Sequence, residues 1–464
     1  MKKLLGILFL ALSSSLFNLC EGQYTVLHNF NDTLGANSYA SLMLSGGTLY
    51  GMTSSGGTRG AGCIFSMDTD GSGYSDLFNF NDTNGGNSYG SLIYASGLLY
   101  GMTSIGGSHD SGCVFSVKTN GSGYKILLNF NGANGKIPTG SLLLLGHQLY
   151  GMTVQGGANR KGCIFSIDTT GSGYKDLMDF NGANGANPYG TLKFFGNKLY
   201  AMTFAGGAQD SGCIFSLDTN GSNYKDLFDF NNRKGYNPFG DLTILGKVMY
   251  GMTSAGGLYG YGNIFSIDTN GIRFTNLFDF NLTNGAYPQA SLTASPDGTL
   301  YGTAYYGGLY SGGVVFSIDT NGSRHRDMFE FNSPTGIYPY GNLTLAGSIL
   351  YATTNQDGLF GAGVIFKIDT GVVAGINNLI KNTANINVYP NPSNGQFTIR
   401  SSVISGQSSV EVYDILGEKV YSQFNNQQTT FNIDLSNQPN GVYFYRVISE
   451  DGNLFGEGKL IIQK

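Results

Sequence analysis

Apolar and polar positions along this chain fall into short runs that return at a fixed interval. Residues 91–94, 98–103, 113–117 and 124–130 are apolar runs of strand length, separated by clusters of Gly, Asn and Asp. Four β-strands joined by tight turns are expected from that alternation. Within the third run Cys113, Phe115 and Val117 share one face, and Val114 and Ser116 the other. Neither face is charged, so the sheet is expected to be covered on both sides.

The whole set recurs about every 50 residues. The tyrosine of Leu49-Tyr50-Gly51-Met52-Thr53 returns as Tyr100, Tyr150, Tyr200, Tyr250, Tyr301 and Tyr351. Seven copies of a four-strand unit predict an all-β, seven-bladed β-propeller. Its closure is legible at the ends. Residues 24–30 match the fourth-strand pattern of residues 74–80, whereas the last copy stops after the third-strand run at 363–369. The N-terminal strand is therefore expected to complete the last blade and remove two open sheet edges. Between a fourth strand and the next first strand lies Phe-Asn-x-x-x-Gly, from Phe30-Asn31 with Gly35 to Phe331-Asn332 with Gly336. That pattern predicts a tight surface loop in which Asn bonds its own backbone.

The pattern divides the chain. Lys2 and Lys3 followed by an apolar run at 4–19 read as a signal peptide over residues 1–22. Cys20 leaves a lipid-anchored alternative, with Leu19 standing where a small residue is usual. The propeller is expected over 23–370 and a linker of small and polar residues over 371–385. A second domain follows over 386–464, where runs at 397–400, 410–413, 419–421, 431–435, 442–448 and 459–462 predict a small Ig-like β-sandwich. No other stretch is long and apolar enough to cross a bilayer, so the mature chain is expected to have no membrane span.

Composition narrows the function. Charged residues are 12% of the chain, against about 25% in ordinary domains. A net charge of -5 without a Lys/Arg cluster gives no field for nucleic acid. Cys63, Cys113, Cys163 and Cys213 occupy one place in successive repeats, and Asn263, Val314 and Val364 take it later. Equivalent places in different blades are too far apart to bridge, so these are expected to be buried free thiols.

Two resemblances follow from the residues. Leu-Tyr-Gly-Met-Thr, Gly-Gly and Gly-Cys-Ile-Phe-Ser, repeated over residues 24–370, resemble the GloVer tandem-repeat family of bacterial surface proteins. That resemblance implies a propeller on an exported protein and no established activity. Tyr389-Pro390-Asn391-Pro392 with Gly395, Val412-Tyr413-Asp414 with Gly417, Leu435, Gly441-Val442-Tyr443 and Gly458-Lys459-Leu460 are similar to the type A C-terminal sorting domain of the Bacteroidetes type IX secretion system. The resemblance implies the type IX machinery as partner. It also implies passage through the periplasm and outer membrane, and a destination at the cell surface or outside it.

Catalytic chemistry finds little purchase. His28, His109, His147 and His325 fall at unrelated repeat positions and offer no zinc set. Ser108-His109-Asp110 are adjacent in a loop and cannot take triad geometry. Neither a Gly-x-Ser-x-Gly elbow nor a phosphate loop occurs. Asp68 and Asp70 resemble the hairpin-capping aspartate box of sialidases, but Arg59 and Arg160 lack a third partner. No catalytic residue, metal or cofactor is expected, and the loops read as nearly uniform. Just before each first strand stand Tyr39, Tyr89, Thr139, Tyr189, Phe239, Gln289 and Tyr340, an incomplete aromatic circle near the channel mouth. The five aromatic members are the candidate ligand-binding residues, with wedging between blades as the structural alternative. The expected protein is a monomeric, non-catalytic binding module for a glycan or a protein. A polysaccharide hydrolase or lyase and a structural surface-layer component are the competing readings.

Overall fold

The structure, a computed structural model, describes residues 23–371, 386–401, 407–414, 419–426, 430–449 and 454–464. The expected signal peptide and residues 372–385 of the expected linker lie outside the described residues. The chain divides into two units, Met1–Gly375 and Ile376–Lys464.

The first unit is all-β, with two short 3-10 turns at Asp32–Leu34 and Ser333–Thr335. Its second repeat forms Ile93–Ala95, Leu98–Thr103, Cys113–Lys118 and Lys125–Asn129, hydrogen-bonded antiparallel in that order. Register explains the repeated Gly after Tyr. Gly101 lies opposite Phe115, and a Cβ there would stand 2.6 Å from the Phe115 ring. The turn from third to fourth strand needs its Gly for a different reason. Gly221 has φ +87°, and a Cβ would meet the Leu177 carbonyl of the preceding sheet at 2.3 Å.

Among the described residues of this unit six sheets have four strands each, and a seventh joins the two ends of the unit. In the seventh, Gln23–Asn29 pairs with Val364–Asp369, which pairs with Ile349–Gln356. The inner strands are joined all the way round by one kind of bond. The backbone N–H of Ser41 donates to Ser91 Oγ (2.9 Å), that of Ser91 to Ser141 Oγ, and that of Ser141 to Thr191 Oγ1. Thr191 donates to Asp241 Oδ1, Asp241 to Ser291 Oγ, Ser291 to Asn342 Oδ1, and Asn342 back to Ser41 Oγ. The backbones approach closely here, since a Cβ on Gly90 would lie 2.2 Å from the Gly140 carbonyl.

The core sits between neighbouring sheets. Met52 and Ile64 of the first sheet pack with Leu99, Phe115 and Val117 of the second around Phe80. Burying a ring of that size contributes about 1.5–3 kcal/mol. Outer edges interlock by stacking: Phe78 lies on Tyr124 of the next sheet at 4.1 Å and 5°, and the Tyr124 hydroxyl donates to the Asn84 carbonyl. His28 on Tyr74 and Phe329 on Tyr24 repeat this at the ends of the chain.

All four described cysteines are free and buried. The Cys63 N–H donates to Thr53 Oγ1, and its thiol is pushed up to about 12 by burial, against the pull of that threonine. Asn263 keeps the arrangement without sulfur, accepting from Thr253 Oγ1 at 2.6 Å.

Among the described residues the second unit has two sheets. One holds Ile386–Tyr389, Gln396–Ser401 and Thr430–Asp434; the other holds Lys419–Asn426, Gln407–Tyr413, Gly441–Ser449 and Leu454–Ile462. Both contribute to one core, including Phe397, Ile399, Val412, Phe431 and Val447.

Candidate functional site

Each Phe-Asn-x-x-x-Gly loop is a built turn. Asn81 Oδ1 accepts the Asn84 N–H at 3.0 Å, and Asn131, Asn181, Asn231 and Asn281 act alike. The loop is bonded to the Gly-Gly loop after the second strand, through Gly107 N–H to the Asp82 carbonyl. Both loop sets therefore lie at one face. The last side chain of the fourth strand fixes the Gly-Gly loop as well. Asn79 Oδ1 accepts from Thr58 N–H and Asp179 Oδ1 from Ala158 N–H.

Leaving these loops, the chain carries Tyr39, Tyr89, Tyr189, Phe239 and Tyr340 to the head of the first strands, where all five are half-buried. They are brought together. Tyr39 meets Tyr89 and Tyr340 at 4.7 Å, Phe239 stacks on Tyr189 at 4.3 Å, and Tyr340 meets Phe239 edge-on at 5.5 Å. Thr139 stands in the same circle, its hydroxyl donating to the Tyr189 carbonyl, and Gln289 lines the same hollow. Phe204 and Tyr305 also pack against this group. Sequence reasoning passed over both because they sit one place beyond the repeated second-strand run, after Thr203 and Ala304 respectively. Burial, reinforced by neighbouring phenols, raises Tyr89 and Tyr340 above the usual tyrosine range. Both phenols are thus neutral at physiological pH.

Below the aromatic group lies the ring of Ser41 and its equivalents, and beyond it a cavity of about 520 Å³. Lys193 and Asp241 form an ion pair there at 2.9 Å. Asp241 also accepts the Thr191 N–H, so both its carboxylate oxygens are engaged.

Other candidate chemistry is accounted for by local bonding. Asp110 accepts the Gly106 N–H rather than facing His109. Asp70 accepts the N–H and hydroxyl of Ser72, capping its hairpin. Among the described residues one group could hold a metal, Cys163 with Asp176 and Asp179, whose ligand atoms lie within 4.8 Å of one another. Burial pushes the Cys163 thiol up to about 12, and it contacts Thr153 Oγ1 at 3.3 Å. Asp179 Oδ1 already takes the Ala158 N–H.

The expectation of nearly uniform loops is corrected at the tips of the Gly-Gly loops. Thr58-Arg59, Ser108-His109, Ala158-Asn159 and Ala208-Gln209 give way to Leu258-Tyr259, Leu309-Tyr310 and Leu359-Phe360, all six exposed.

In the second unit the motif residues meet around the last strand. Asn391 Nδ2 donates to the Lys459 carbonyl and Asn391 Oδ1 accepts the Ile461 N–H, both at 2.8 Å. This pins the Pro390-Asn391-Pro392 turn. Gly441 lies opposite Ile462, and buried Tyr443 lies opposite Leu460 with its hydroxyl on the Pro439 carbonyl. Gly395 has φ +114°, and a Cβ would stand 2.7 Å from Ser436 Cα. Lys459 and Gly441 are exposed.

The profile of the Gloeobacter/Verrucomicrobia repeat matches residues 13–149, 146–247 and 245–392. The chain belongs to this repeat family. Residues 387–463 match the secretion system C-terminal sorting domain. This repeat protein is thus exported by type IX secretion to the cell surface or the extracellular space. Among the described residues no helix is long and apolar enough to cross a membrane. No curated protein matches the sequence. In structure the chain is similar to the extracellular domain of a hybrid two-component system from B. thetaiotaomicron, at 11% identity and a TM-score of 0.49, over 95% of this chain and 57% of that one. This chain thus spans little more than half the length of that relative. It is also similar to TolB from Acinetobacter baumannii (13% identity, TM-score 0.38, 71% and 78% covered). A third is a fungal alcohol oxidase in complex with copper (10%, 0.46, 96% and 100%).

Proposed function

We propose that the protein is a seven-bladed β-propeller, residues 23–370, carried to the cell exterior by a signal peptide at 1–22 and an Ig-like sorting domain at 386–464. There it acts as a non-catalytic module that binds an extracellular glycan or protein at the mouth of its channel. The observation that carries this reading is the convergence of Tyr39, Tyr89, Tyr189, Phe239 and Tyr340, neutral rings from five repeats in mutual contact. Aromatic rings gathered on a surface bind apolar faces of sugars and side chains and supply large contact area at low entropic cost. The buried carboxylate of the channel, Asp241, is engaged by Lys193 and Thr191, which favours binding over acid–base catalysis. The test is a binding screen of the full chain against soluble polysaccharides and surface proteins, repeated with Tyr89→Ala/Tyr189→Ala. Weaker binding with retained fold supports the reading. Undiminished binding, or turnover of a polysaccharide, overturns it.

A further inference from the structure

The face that bears the channel mouth is chemically lopsided. In the first repeats its loops carry Arg59, Asp82, Lys136, Arg160, Asp210 and Lys234. Residues 254–262, 282–289, 305–313, 333–341 and 355–363, which form its other half, contain one charged residue, Asp357. Asp279 and Glu330 bond two of its tips, and exposed Arg233 and Lys234 border the first, whose Gly257 N–H donates to the Asn232 carbonyl. The three tips there expose Leu258, Leu309 and Leu359 by 72%, 74% and 73%, each beside an exposed aromatic ring. Each leucine N–H is held in the same way, by Asp279, Glu330 and Asn29 respectively, so the three tips present one geometry three times.

Between the tips and the mouth runs a row of tyrosines. Tyr261 meets Tyr287 at 5.6 Å, Tyr287 meets Tyr306 at 6.5 Å, and Tyr306 meets Tyr338 at 6.1 Å. Tyr305 joins the row to Tyr340 of the mouth. Two members are held against their own backbone preference, since Tyr287 has φ +52° and Tyr338 φ +61°. Asn37, Asn87, Asn187 and Asn237 fill that place in four other repeats, and Ile137 in a fifth. Asn is the residue that tolerates this conformation. It also adds a bond, as when Asn187 Nδ2 donates to the Val154 carbonyl and Asn237 Nδ2 to Phe204. Tyrosine at 287 and 338 gives up both advantages, as Ile137 does, but only the tyrosines bring rings into the row.

We infer that this aromatic half-face, formed by the last three repeats, binds a neutral polysaccharide chain that extends from the channel mouth across the loop tips. The inference rests on the reading of the protein as a binding module and fixes its ligand class. Two features select the occupant. The charges held at the three tips, Asp279, Glu330 and Asp357, are acidic and disfavour an acidic polymer, and a motif presented three times at the repeat interval suits a ligand whose own chemistry recurs along its length. Flat rings meet the apolar faces of pyranoses while phenolic hydroxyls bond their edges.

The experiment is affinity electrophoresis of the full chain in gels containing galactomannan, mixed-linkage glucan or xylan, with alginate and polygalacturonate as acidic counterparts. The parent is expected to be retarded by at least one neutral polymer and by neither acidic one. Tyr287→Asn/Tyr338→Asn is expected to weaken that retardation about tenfold or more, as loss of central aromatic anchors does, while melting no lower than the parent. Tyr259→Ser/Tyr310→Ser/Phe360→Ser, confined to exposed tips, should weaken it too. Undiminished retardation of both variants overturns this site but leaves a binding module at the mouth. Retardation by acidic polymers alone overturns the ligand class, and retardation by none overturns this inference and leaves a protein as the partner at the mouth.

Discussion

The backbone N–H of Asn342 donates to the hydroxyl of Ser41 at 2.7 Å, across 301 residues of chain. It is the closing member of the bonds that join the inner strands. Each joint uses a backbone donor and a short side-chain acceptor one repeat further on. Ser41→Ala leaves the Asn342 N–H without its acceptor, at a cost of about 1–3 kcal/mol. Ser41→Thr, the residue type found at Thr191, should restore most of it. Urea unfolding followed by tyrosine fluorescence reads the difference. A Ser41→Ala midpoint equal to the parent's would mean that water replaces the hydroxyl and that this joint does not hold the ring.

The outer edge closes through Tyr24. Its ring stacks on Phe329 at 3.9 Å and its hydroxyl donates to the Thr335 carbonyl at 2.6 Å. Tyr24→Ala is expected to cost about 3–5 kcal/mol, the range for emptying a packed aromatic site. Tyr24→Phe should cost about 1 kcal/mol through the lost hydrogen bond. Removal of residues 23–30 would expose the whole edge of Val364–Asp369, and that variant should melt lower and self-associate in size-exclusion chromatography. A deletion variant that stays monomeric and melts with the parent would show that the sheet does not need its N-terminal strand.

Strands and turns were legible because each repeat states them again: the second strand of the second repeat runs Leu98–Thr103 as its apolar run indicates, and the Gly of each Asp-Thr-x-Gly turn has positive φ. The bonds between sheets were harder to see. Ser41, Ser91, Ser141, Thr191, Asp241, Ser291 and Asn342 differ in type, and only their shared short oxygen marks them as one set. Similarly, Tyr287 and Tyr338 look ordinary until their positive φ is known. The aromatic circle could be read as a set of residues, but their convergence depends on how narrow the channel is. That narrowness follows from backbone approach at Gly90 and its equivalents, whose recurrence shows in the sequence while the closeness it permits does not.

His325 occupies the stacking place that Tyr74, Tyr124, Tyr174 and Tyr224 hold elsewhere. It lies on Phe278 at 3.7 Å, but its buried Nε2 has no hydrogen-bond partner and stands 3.9 Å from Asp327. Burial depresses its pKa to about 4, from 6.5. Between these values the unfolded chain takes up a proton that the folded chain refuses, so stability falls as the pH drops through this window. His325→Tyr removes both defects. It is expected to be more stable than the parent by about 1 kcal/mol at pH 7, with an advantage that widens as pH falls from 6.5 towards 4. Asp327, which burial and Glu330 raise to about 6, is present in both proteins and largely cancels in the comparison. An advantage that stays constant over pH 4 to 7 in thermal melts would show that the imidazole is not held neutral.

The sorting motif holds residues of two kinds, and they should fail differently. Gly395 needs its φ of +114° and has no room for a methyl group beside Ser436, so Gly395→Ala strains the joint between Gln396–Ser401 and the Leu435 turn. Asn391 ties its turn to the last strand by two bonds, and Asn391→Ala removes both. These two variants should lower the melting temperature of the C-terminal unit and, with it, surface display. Lys459 is exposed, with its backbone rather than its side chain bonded to Asn391. Lys459→Ser should therefore leave melting unchanged, and a drop in surface labelling would mean that the export machinery reads the side chain itself. The full-length variant would then accumulate in the periplasm, as the folded repeat unit should when residues 386–464 are deleted. Normal display of Lys459→Ser beside failed display of Gly395→Ala would instead mean that export reads the folded shape of the unit, and surface labelling that persists after the deletion would remove this unit from the export route.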